Sequence, residues 1–595
     1  MSTPELVAGS YVDAHRRRRA ISREVRDAVL ATMGLAPGEE PPASASVAIV
    51  RRGDTLPAVG ELTLEDGTPL GRPETLPPDA PFGYHALLRD DGNAQLLIAG
   101  PGRCHLPADL RAWGWAIQLA VTRSIRSWGI GDLGDLRDLA TWSASAGAGF
   151  VSVGPLSAPN PGPHPEPSPY YPSTRRFGNP LYLVTDGADE VGRALNAERL
   201  IDRSRVLALK LAALERTWER GGFDLAAFEA WRQAQDGALE RWATFCMLFE
   251  RFGPGWTRWP EAFRDPRSDA VASARSEDGD RVAFHAWIQW CFDQQLAAAS
   301  GPLRRIADMP VGVDPDGFDA WDWQDQLASG AALGVPPDRF NTSGQDWGFP
   351  PFVPHRLREV GYRPFIDTVR AQLRHAGGLR FDHVLGLFRQ WWIPAGHDPT
   401  EGAYVRQPTD ELLEIVAIES HRASAVIVGE DLGTVPAGVR SELRRRRMLS
   451  TRLALFERKP PHAYPRQAFA AISTHDLPTL AGLWTGADLG DQAAAGVTPD
   501  PDGAGRLRAR LLGAAGLGAD ATLDELVVGL HRSLAASPAM LVAATLEDAL
   551  RVEERPNLPG TVAPQRANWS LALPVGVDEL AADPRVAALV EVLRR

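Results

Sequence analysis

Three short apolar runs of this chain each end beside an acidic residue. The acids are Asp382, Glu430 and Asp476, and they follow the runs Leu-Arg-Phe, Val-Ile-Val-Gly and Ile-Ser-Thr-His. Successive acids are 48 and 46 residues apart, enough for one or two strand-helix units in each interval. We interpret the runs as strands of a parallel barrel, whose carboxyl ends would bring the three carboxylates together. Such a group suits the cleavage of a glycosidic bond.

Cleavage of an acetal requires two carboxyl groups in different states of protonation. A carboxylate attacks the anomeric carbon, and a carboxylic acid protonates the leaving oxygen. In an enzyme that retains the anomeric configuration the two groups are about 5–5.5 Å apart. Arg380 projects to the same side of its strand as Asp382 and would hold that carboxylate ionised. Glu430 follows a run that looks buried, which would raise its pKa toward the acid role.

The three acids and their neighbours have other possible roles. Any one of the three acids could instead cap a helix or form a salt bridge. Gly129–Gly134 reads G-x-G-x-x-G, but the next strand ends Val-Gly-Pro without the acid of a dinucleotide site, so a turn and a helix start are favoured. His383 and His475 have no second ligand at helical spacing, and H-E-x-x-H and C-x-x-C are absent from the sequence. No metal and no cofactor are therefore expected.

The elements that would position the acids follow a strand-helix rhythm from Trp113 onward. Helical stretches separate most of the strands, and two longer helical segments, at about 186–300 and 485–540, read as insertions. The sequence therefore predicts a (β/α)8 barrel with helical insertions over residues 111–595. A Pro-rich loop, Pro155–Pro172, follows the second strand at the end where such loops shape sites. The candidate strands are Trp115–Val121, Phe150–Leu156, Arg305–Val313, Leu379–Val384, Ala425–Glu430, Ser450–Glu457, Phe469–Thr474 and Leu541–Glu547.

Two smaller segments precede the barrel. Residues 1–36 are predicted to be a helical segment, with helix over residues 10–34 and Ser22 as a candidate N-cap. Residues 37–110 begin with a Pro-, Glu- and Ser-rich linker and continue as short alternating runs separated by turns. This pattern predicts a small N-terminal β-sandwich domain.

Bulk properties restrict the partners and the location. The 595 residues carry a net charge of −12, which argues against nucleic acid or an anionic membrane as a partner. Cys104, Cys246 and Cys291 are too few and too far apart for a disulfide framework. The chain has no apolar leader and no run of about 18 apolar residues. A cytoplasmic protein is expected, either monomer or homodimer.

Several longer strings resemble one enzyme family. They are Ser124–Leu133, Ser168–Ser173 with Arg176–Leu181, Gly334–Asp338 with Gly344–Gly348, and Asn557–Thr561 with Asn568-Trp569. With the three acids, these strings resemble the 4-α-glucanotransferases (amylomaltases or disproportionating enzymes), family 77 of the glycoside hydrolases in the α-amylase clan. The resemblance covers essentially all of residues 110–570.

The resemblance implies an activity and a role for each site residue. The activity is retaining transfer of α-1,4-glucan segments between maltooligosaccharides through a covalent glucosyl-enzyme, as in maltodextrin and glycogen metabolism. Asp382 would be the nucleophile, Glu430 the general acid/base and Asp476 the transition-state stabiliser. The implied substrate-binding residues are Arg380 and His475 as orienting groups, Tyr170 on the donor ring, Trp347 on the acceptor side, and Asp308 and Asp316 at the end of the third strand.

Two alternatives remain beside transfer. An α-amylase-type hydrolase would use the same three acids, and the Gly-Gln-Asp-Trp-Gly string at residues 344–348 argues against it. A non-catalytic glucan-binding protein would not need all three acids, and their presence argues against that second alternative.

Overall fold

The computed structural model describes residues 5–13, 15–42, 47–185, 190–337 and 343–595. Part of the expected linker, Asp186 and Asp338 lie outside the described residues. The chain folds into two compact units. One comprises Met1–Pro107, Val311–Pro315 and Trp323–Ser450, and the other comprises Ala108–Pro310, Asp316–Asp322 and Thr451–Arg595. The predicted division at residues 36 and 110 remains a prediction.

The strands are short, as expected for a barrel with attached small sheets. They are β1 (Ser10–Val12), β2 (Arg18–Ala20), β3 (Val47–Val50), β4 (Gly60–Thr63), β5 (Pro69–Gly71), β6 (Gly83–Arg89), β7 (Ala94–Ala99), β8 (Ala112–Ile117), β9 (Phe150–Val153), β10 (Arg304–Met309), β11 (Ala331–Val335), β12 (Gln345–Phe349), β13 (Gly378–Phe381), β14 (Arg389–Pro394), β15 (Ala403–Arg406), β16 (Val426–Gly429), β17 (Leu449–Leu453), β18 (Ala468–Ala471) and β19 (Leu541–Thr545).

The α-helices fill the intervals between barrel strands and build the insertions. They are α1 (Arg23–Thr32), α2 (Leu133–Ser145), α3 (Glu190–Ala194), α4 (Arg203–Arg220), α5 (Leu225–Gln233), α6 (Ala238–Phe252), α7 (Asp269–Glu277), α8 (Gly279–Ala299), α9 (Phe318–Asp322), α10 (Pro354–Glu359), α11 (Arg363–Leu373), α12 (Thr409–Arg422), α13 (Val439–Arg445), α14 (Leu480–Thr485), α15 (Ala487–Ala494), α16 (Pro501–Ala515), α17 (Leu523–Ala535), α18 (Leu546–Leu550) and α19 (Pro584–Leu593).

Eight parallel strands close into a barrel in the order β8, β9, β10, β13, β16, β17, β18, β19. This confirms the predicted barrel, and each of the eight candidate runs overlaps one of its strands. The observed strands end two to four residues earlier than most of the runs did, for example at Leu453 in β17. The apolar pattern continues there because the loops that follow the strands are themselves partly buried.

The G-x-G-x-x-G string is a helix start, as expected. Helix α2 begins at Leu133, and the Asp132 carboxylate caps it by accepting from the backbone N–H groups of Gly134 and Asp135 at 2.9 and 3.2 Å. Such a side-chain cap satisfies donors that the first helical turn leaves without partners.

The predicted helix over residues 10–34 is wrong in its first half. Ser22 does cap a helix, α1, but β1 and β2 form an antiparallel pair before it. The Asp13 carboxylate turns the chain between them, because its Oδ1 accepts from the backbone N–H groups of His15 and Arg17, both at 2.9 Å. Asx-type hydrogen bonds of this kind compete with helix formation.

The small N-terminal sheet domain is present, but as a single sheet and not as a sandwich. Its strand order is β3-β7-β6-β4-β5, with β3 parallel to β7 and the other pairs antiparallel. Its core consists of aliphatic side chains, among them Leu62, Leu76, Leu87 and Leu97.

Both predicted helical insertions are observed, and a further sheet was not predicted. Helices α3 to α8 occupy the first insertion, and α15 to α17 the second. The additional sheet has the order β12-β11-β14-β15, with antiparallel pairs. Many of the tryptophans are packing residues: Trp113, Trp115, Trp259, Trp321, Trp391 and Trp392 are each less than 2% exposed.

A buried ion network links the N-terminal sheet domain to α12 within the first unit. Glu414 is fully buried and accepts from the Arg51 and Arg446 guanidinium groups at 2.7 and 2.5 Å and from the Gly102 N–H at 2.8 Å. We expect Glu414→Gln to lower the free energy of unfolding by about 3 kcal/mol, because Arg446 would keep a buried charge with weaker partners. Urea denaturation measures this change.

A matched control is the exposed Arg72–Asp90 pair of the same unit. Arg72→Ala should leave the urea midpoint nearly unchanged, since exposed ion pairs stabilise little. Equal shifts for the two variants would contradict the assignment of Glu414 as a buried anchor.

Candidate active site

The strands β13 and β16 place Asp382 and Glu430 side by side. The two strands are parallel neighbours, and Phe381 is paired with Gly429 at their carboxyl ends. Asp382 and Glu430 are the next residues on the two strands, and the Glu430 N–H donates to the Phe381 carbonyl at 3.0 Å. Neighbouring strands lie about 4.7–4.9 Å apart, so the two carboxyl groups start from adjacent backbone positions.

Two backbone amides hold the Glu430 carboxyl group. The N–H of His383 donates to Oε2 at 2.9 Å, and the N–H of Leu432 donates to Oε1 at 2.7 Å. Burial raises the pKa of Glu430 above its ordinary value, although the Arg380 charge and the two amides oppose the rise. The effect of burial on the pKa prevails, which favours the protonated form that a general acid requires.

Asp382, in contrast, is paired with a cation. Its Oδ1 accepts from the Arg380 guanidinium at 2.9 Å, and the two side chains are 24% and 12% exposed. A charge-assisted hydrogen bond of this length favours the ionised carboxylate. The predicted pairing of Arg380 with Asp382 is therefore observed.

Trp347 approaches this pair through His383. The two rings form an edge-to-face contact with centroids 5.4 Å apart, and the Trp347 indole N–H donates to Gln345 at 3.0 Å. His383 has a left-handed backbone (φ 46°), and burial lowers the pKa of its imidazole. His383 thus contacts the indole through a neutral ring and Glu430 through its backbone N–H.

In the second unit, Tyr170, His475 and Asp308 form a cluster. Tyr170 comes from the Pro-rich loop after β9, and its hydroxyl donates to the Asp308 carboxylate at 2.6 Å. The same hydroxyl lies 3.3 Å from His475 Nδ1, with the two ring centroids 4.7 Å apart. Tyr170 therefore contacts two other predicted substrate-binding residues.

Asp476 lies beside this cluster. His475 Nε2 is 3.3 Å from Asp476 Oδ2, and the carboxylate side chain is 43% exposed. Asp316 is also in the second unit, on the loop before α9, with its Oδ2 4.0 Å from Arg258. The predicted residues thus divide into an Asp382–Glu430 group in one unit and a Tyr170–His475–Asp476 group in the other.

Comparison with known proteins decides the family. The model of glycoside hydrolase family 77, described as 4-alpha-glucanotransferase, matches residues 117–576. The chain belongs to the 4-alpha-glucanotransferase family. A 4-alpha-glucanotransferase from Mycobacterium tuberculosis (strain ATCC 25618 / H37Rv) is 41% identical over 585 residues, covering 87% of this chain and 80% of the relative. The one from Haemophilus influenzae (strain ATCC 51907 / DSM 11121 / KW20 / Rd) is 34% identical, covering 70% and 67%.

The fold agrees with this assignment. The amylomaltase structure from Corynebacterium glutamicum superposes with a TM-score of 0.86 at 30% identity, covering 99% of this chain and 98% of that one. The resemblance inferred from the sequence strings is thereby confirmed, and the chain is a 4-alpha-glucanotransferase. Neither the hydrolase nor the non-catalytic alternative is favoured.

Four residues near His475 had no role indicated by the sequence. They are Gln118, Trp569, Asn557 and Glu547. The Gln118 amide nitrogen lies 3.4 Å from His475 Nδ1, and Gly154 gives it space, since a Cβ there would lie 2.1 Å from the Gln118 oxygen. The Trp569 ring packs on both Tyr170 and His475. Asn557 donates to Asp476, and Glu547 follows β19.

Of these four residues, Glu547 has the clearest signal in the sequence. It ends the eighth candidate run, in the position that singled out the three acids. Burial raises the pKa of Glu547 to about 7, and the neighbouring Asp548 charge adds to the rise. In the ranges that the structure describes, no group of three or more His, Cys, Asp or Glu side chains could hold a metal ion, and no helix could cross a membrane.

Proposed function

We propose that Asp382 and Glu430 carry out a retaining double displacement on α-1,4-glucans. The observation that supports this most is the β13–β16 register, which makes the two acids neighbours while their surroundings favour opposite protonation states. A retaining mechanism requires this combination of closeness and difference.

The first step forms a covalent intermediate. The Asp382 carboxylate attacks C1 of a donor glucosyl unit, and the bond from C1 to the O4 of the leaving chain breaks. Glu430 gives its proton to that O4 as the leaving chain departs. In the second step the 4-hydroxyl of an acceptor glucan attacks C1, Glu430 takes its proton, and the bond to Asp382 breaks. Two inversions restore the α configuration.

The remaining site residues are proposed to bind the sugars. Asp476 would stabilise the transition state through sugar hydroxyls, with His475 orienting the same ring. Tyr170 would stack on the donor ring, supported by Asp308. Arg380 would keep Asp382 ionised, Trp347 would line the acceptor side, and Asp316 would line the cleft near the third strand.

Maltooligosaccharides and longer α-1,4-glucans are the proposed donors and acceptors. The family assignment supports this. An amylomaltase from Streptococcus agalactiae, with the same fold at 18% identity and a TM-score of 0.68, has a solved structure in complex with acarbose. A cytoplasmic location is also proposed, supported by the free state of Cys104, Cys246 and Cys291. Monomer and homodimer remain alternatives.

Incubation with maltotriose as the sole substrate tests transfer directly. We expect glucose together with maltopentaose and longer maltodextrins, because an acceptor glucan replaces water in the second step. Product analysis by chromatography over the initial phase measures the two classes. Maltose and glucose alone would contradict transfer and indicate hydrolysis, and unchanged maltotriose would contradict an α-1,4-glucan activity.

A further inference from the structure

One segment of the second unit forms hydrogen bonds with the residues that follow β18. We call Arg555–Trp569 the C-terminal strap. The N–H of Asn557 donates to the His475 carbonyl at 3.0 Å, and Arg555 donates to the Asp476 carbonyl at 3.1 Å. The side-chain amide of Asn557 also donates to Asp476 Oδ1 at 2.6 Å. The strap thus holds both the backbone and the carboxylate.

The strap is itself anchored to helix α15 of the second insertion. Arg555 pairs with Asp488 at 2.7 Å, and these side chains are only 6% and 4% exposed. Arg566 pairs with Asp491, also at 2.7 Å. Removing one partner of a buried ion pair strongly destabilises a protein. These ion pairs therefore help to fix the position of Asn557, in addition to the hydrogen bonds that Asn557 itself makes.

The two oxygens of Asp476 have different surroundings. Oδ1 takes the Asn557 hydrogen bond, whereas Oδ2 faces His475 Nε2 at 3.3 Å. A neutral amide that donates to a carboxylate favours its ionised form and restricts its rotation. The Asp476 side chain is 43% exposed and borders solvent, so the Asn557 hydrogen bond helps to fix its orientation.

We propose that Asn557 is a positioning residue, which fixes the orientation and the ionised state of the Asp476 carboxylate for glucan transfer. This inference rests on the proposed role of Asp476. It also gives the second insertion a function, because α15 holds the strap that carries Asn557.

Asn557→Asp is the decisive variant. It puts a second carboxyl group within 2.6 Å of Asp476 Oδ1, and two carboxyl groups so close share one proton and titrate as a pair. We expect the acidic limb of the kcat profile to move upward by about one pH unit or more, so the loss relative to wild type is larger at pH 5.5 than at pH 8. A parallel, unshifted profile would overturn the proposal.

Gln565→Glu is the matched control. Gln565 is exposed on the same strap, and its Oε1 accepts from the Val562 N–H, which a carboxylate can replace. The control adds the same charge in the same segment and should leave the pH profile unchanged. A shift in the control equal to that of Asn557→Asp would attribute the effect to net charge and overturn the proposal.

Asn557→Ser is a second variant, which adds no charge. Its shorter side chain no longer reaches Asp476. We expect kcat for maltotriose to fall about 10- to 100-fold, the effect of losing one charge-assisted hydrogen bond. KM should change far less if Asp476 acts in the transition state. A rise in KM with kcat unchanged would contradict the proposal.

Asp476→Asn separates this inference from the proposed role of Asp476. If Asp476→Asn keeps near-wild-type turnover, the role of Asp476 itself is wrong. If Asp476→Asn loses activity while both Asn557 variants behave as wild type, only the positioning role of Asn557 is overturned.

Discussion

Asp382→Asn should lower the rate of maltotriose disproportionation by roughly 10⁴- to 10⁶-fold, the loss typical of removing a catalytic nucleophile. An amide of the same shape does not attack the anomeric carbon, and it offers the Arg380 guanidinium no negative charge. The fold should survive, because the side chain keeps its volume and lies at the end of β13 and not in the barrel core. Initial rates of glucose release, together with circular dichroism, measure both parts.

Asp398→Asn is the matched control for this variant. Asp398 is exposed in the same unit, and its Oδ1 accepts from the Thr400 N–H, which an asparagine oxygen can also do. Its turnover should equal that of wild type. Near-wild-type turnover in Asp382→Asn would mean that another residue is the nucleophile.

Glu430→Gln should cause a comparable loss with maltotriose, but a much smaller loss with a donor whose leaving group needs no proton, such as an α-maltosyl fluoride. Cleavage of that donor bypasses the acid step, although the acceptor still needs a base. Asp382→Asn should be equally inactive with both donors, since it lacks the nucleophile. An equal loss of Glu430→Gln with both donors would contradict the acid role.

The same variant should alter stability in a definite direction. The folded pKa of Glu430 is raised, so its stabilising contribution is present below the unfolded pKa of about 4.3 and is lost as the pH rises through the folded value. Glutamine does not titrate, so the stability of Glu430→Gln relative to wild type should rise between pH 4 and pH 7. Thermal unfolding at the two pH values measures this change, and a stability difference that stays constant with pH would contradict the raised pKa of Glu430.

The barrel and its acids were predictable because their signals are local. Each barrel strand is an apolar run bounded by turn residues, and an acid directly after such a run falls at the carboxyl end of a parallel strand by geometry alone. The same local rule would have found Glu547. The N-terminal hairpin was missed because its arginine-rich run has no strand periodicity, and one carboxylate, that of Asp13, turns the chain.

Other features depend on partners that are distant in sequence. In the four-stranded sheet β11 pairs with β14, for example at Ala331 and Pro394, which are 63 residues apart. The sequence of neither segment indicates its partner. Asn557 lies 81 residues from Asp476, and a neutral amide in a Pro- and Gly-containing loop has no local sign of chemistry. Its hydrogen bond can be found only once the chain is folded.

The pair of amides that holds Glu430 has an evolutionary consequence. Both donors belong to the main chain, at His383 and Leu432, so replacing one side chain by another leaves them in place, and only proline at either position would delete one. Most substitutions at neighbouring positions would therefore leave the two hydrogen bonds to Glu430 in place. Selection could still adjust the pKa of Glu430 through two features that side chains control. These are the apolar residues that bury the carboxyl group and the distance of the Arg380 charge from it.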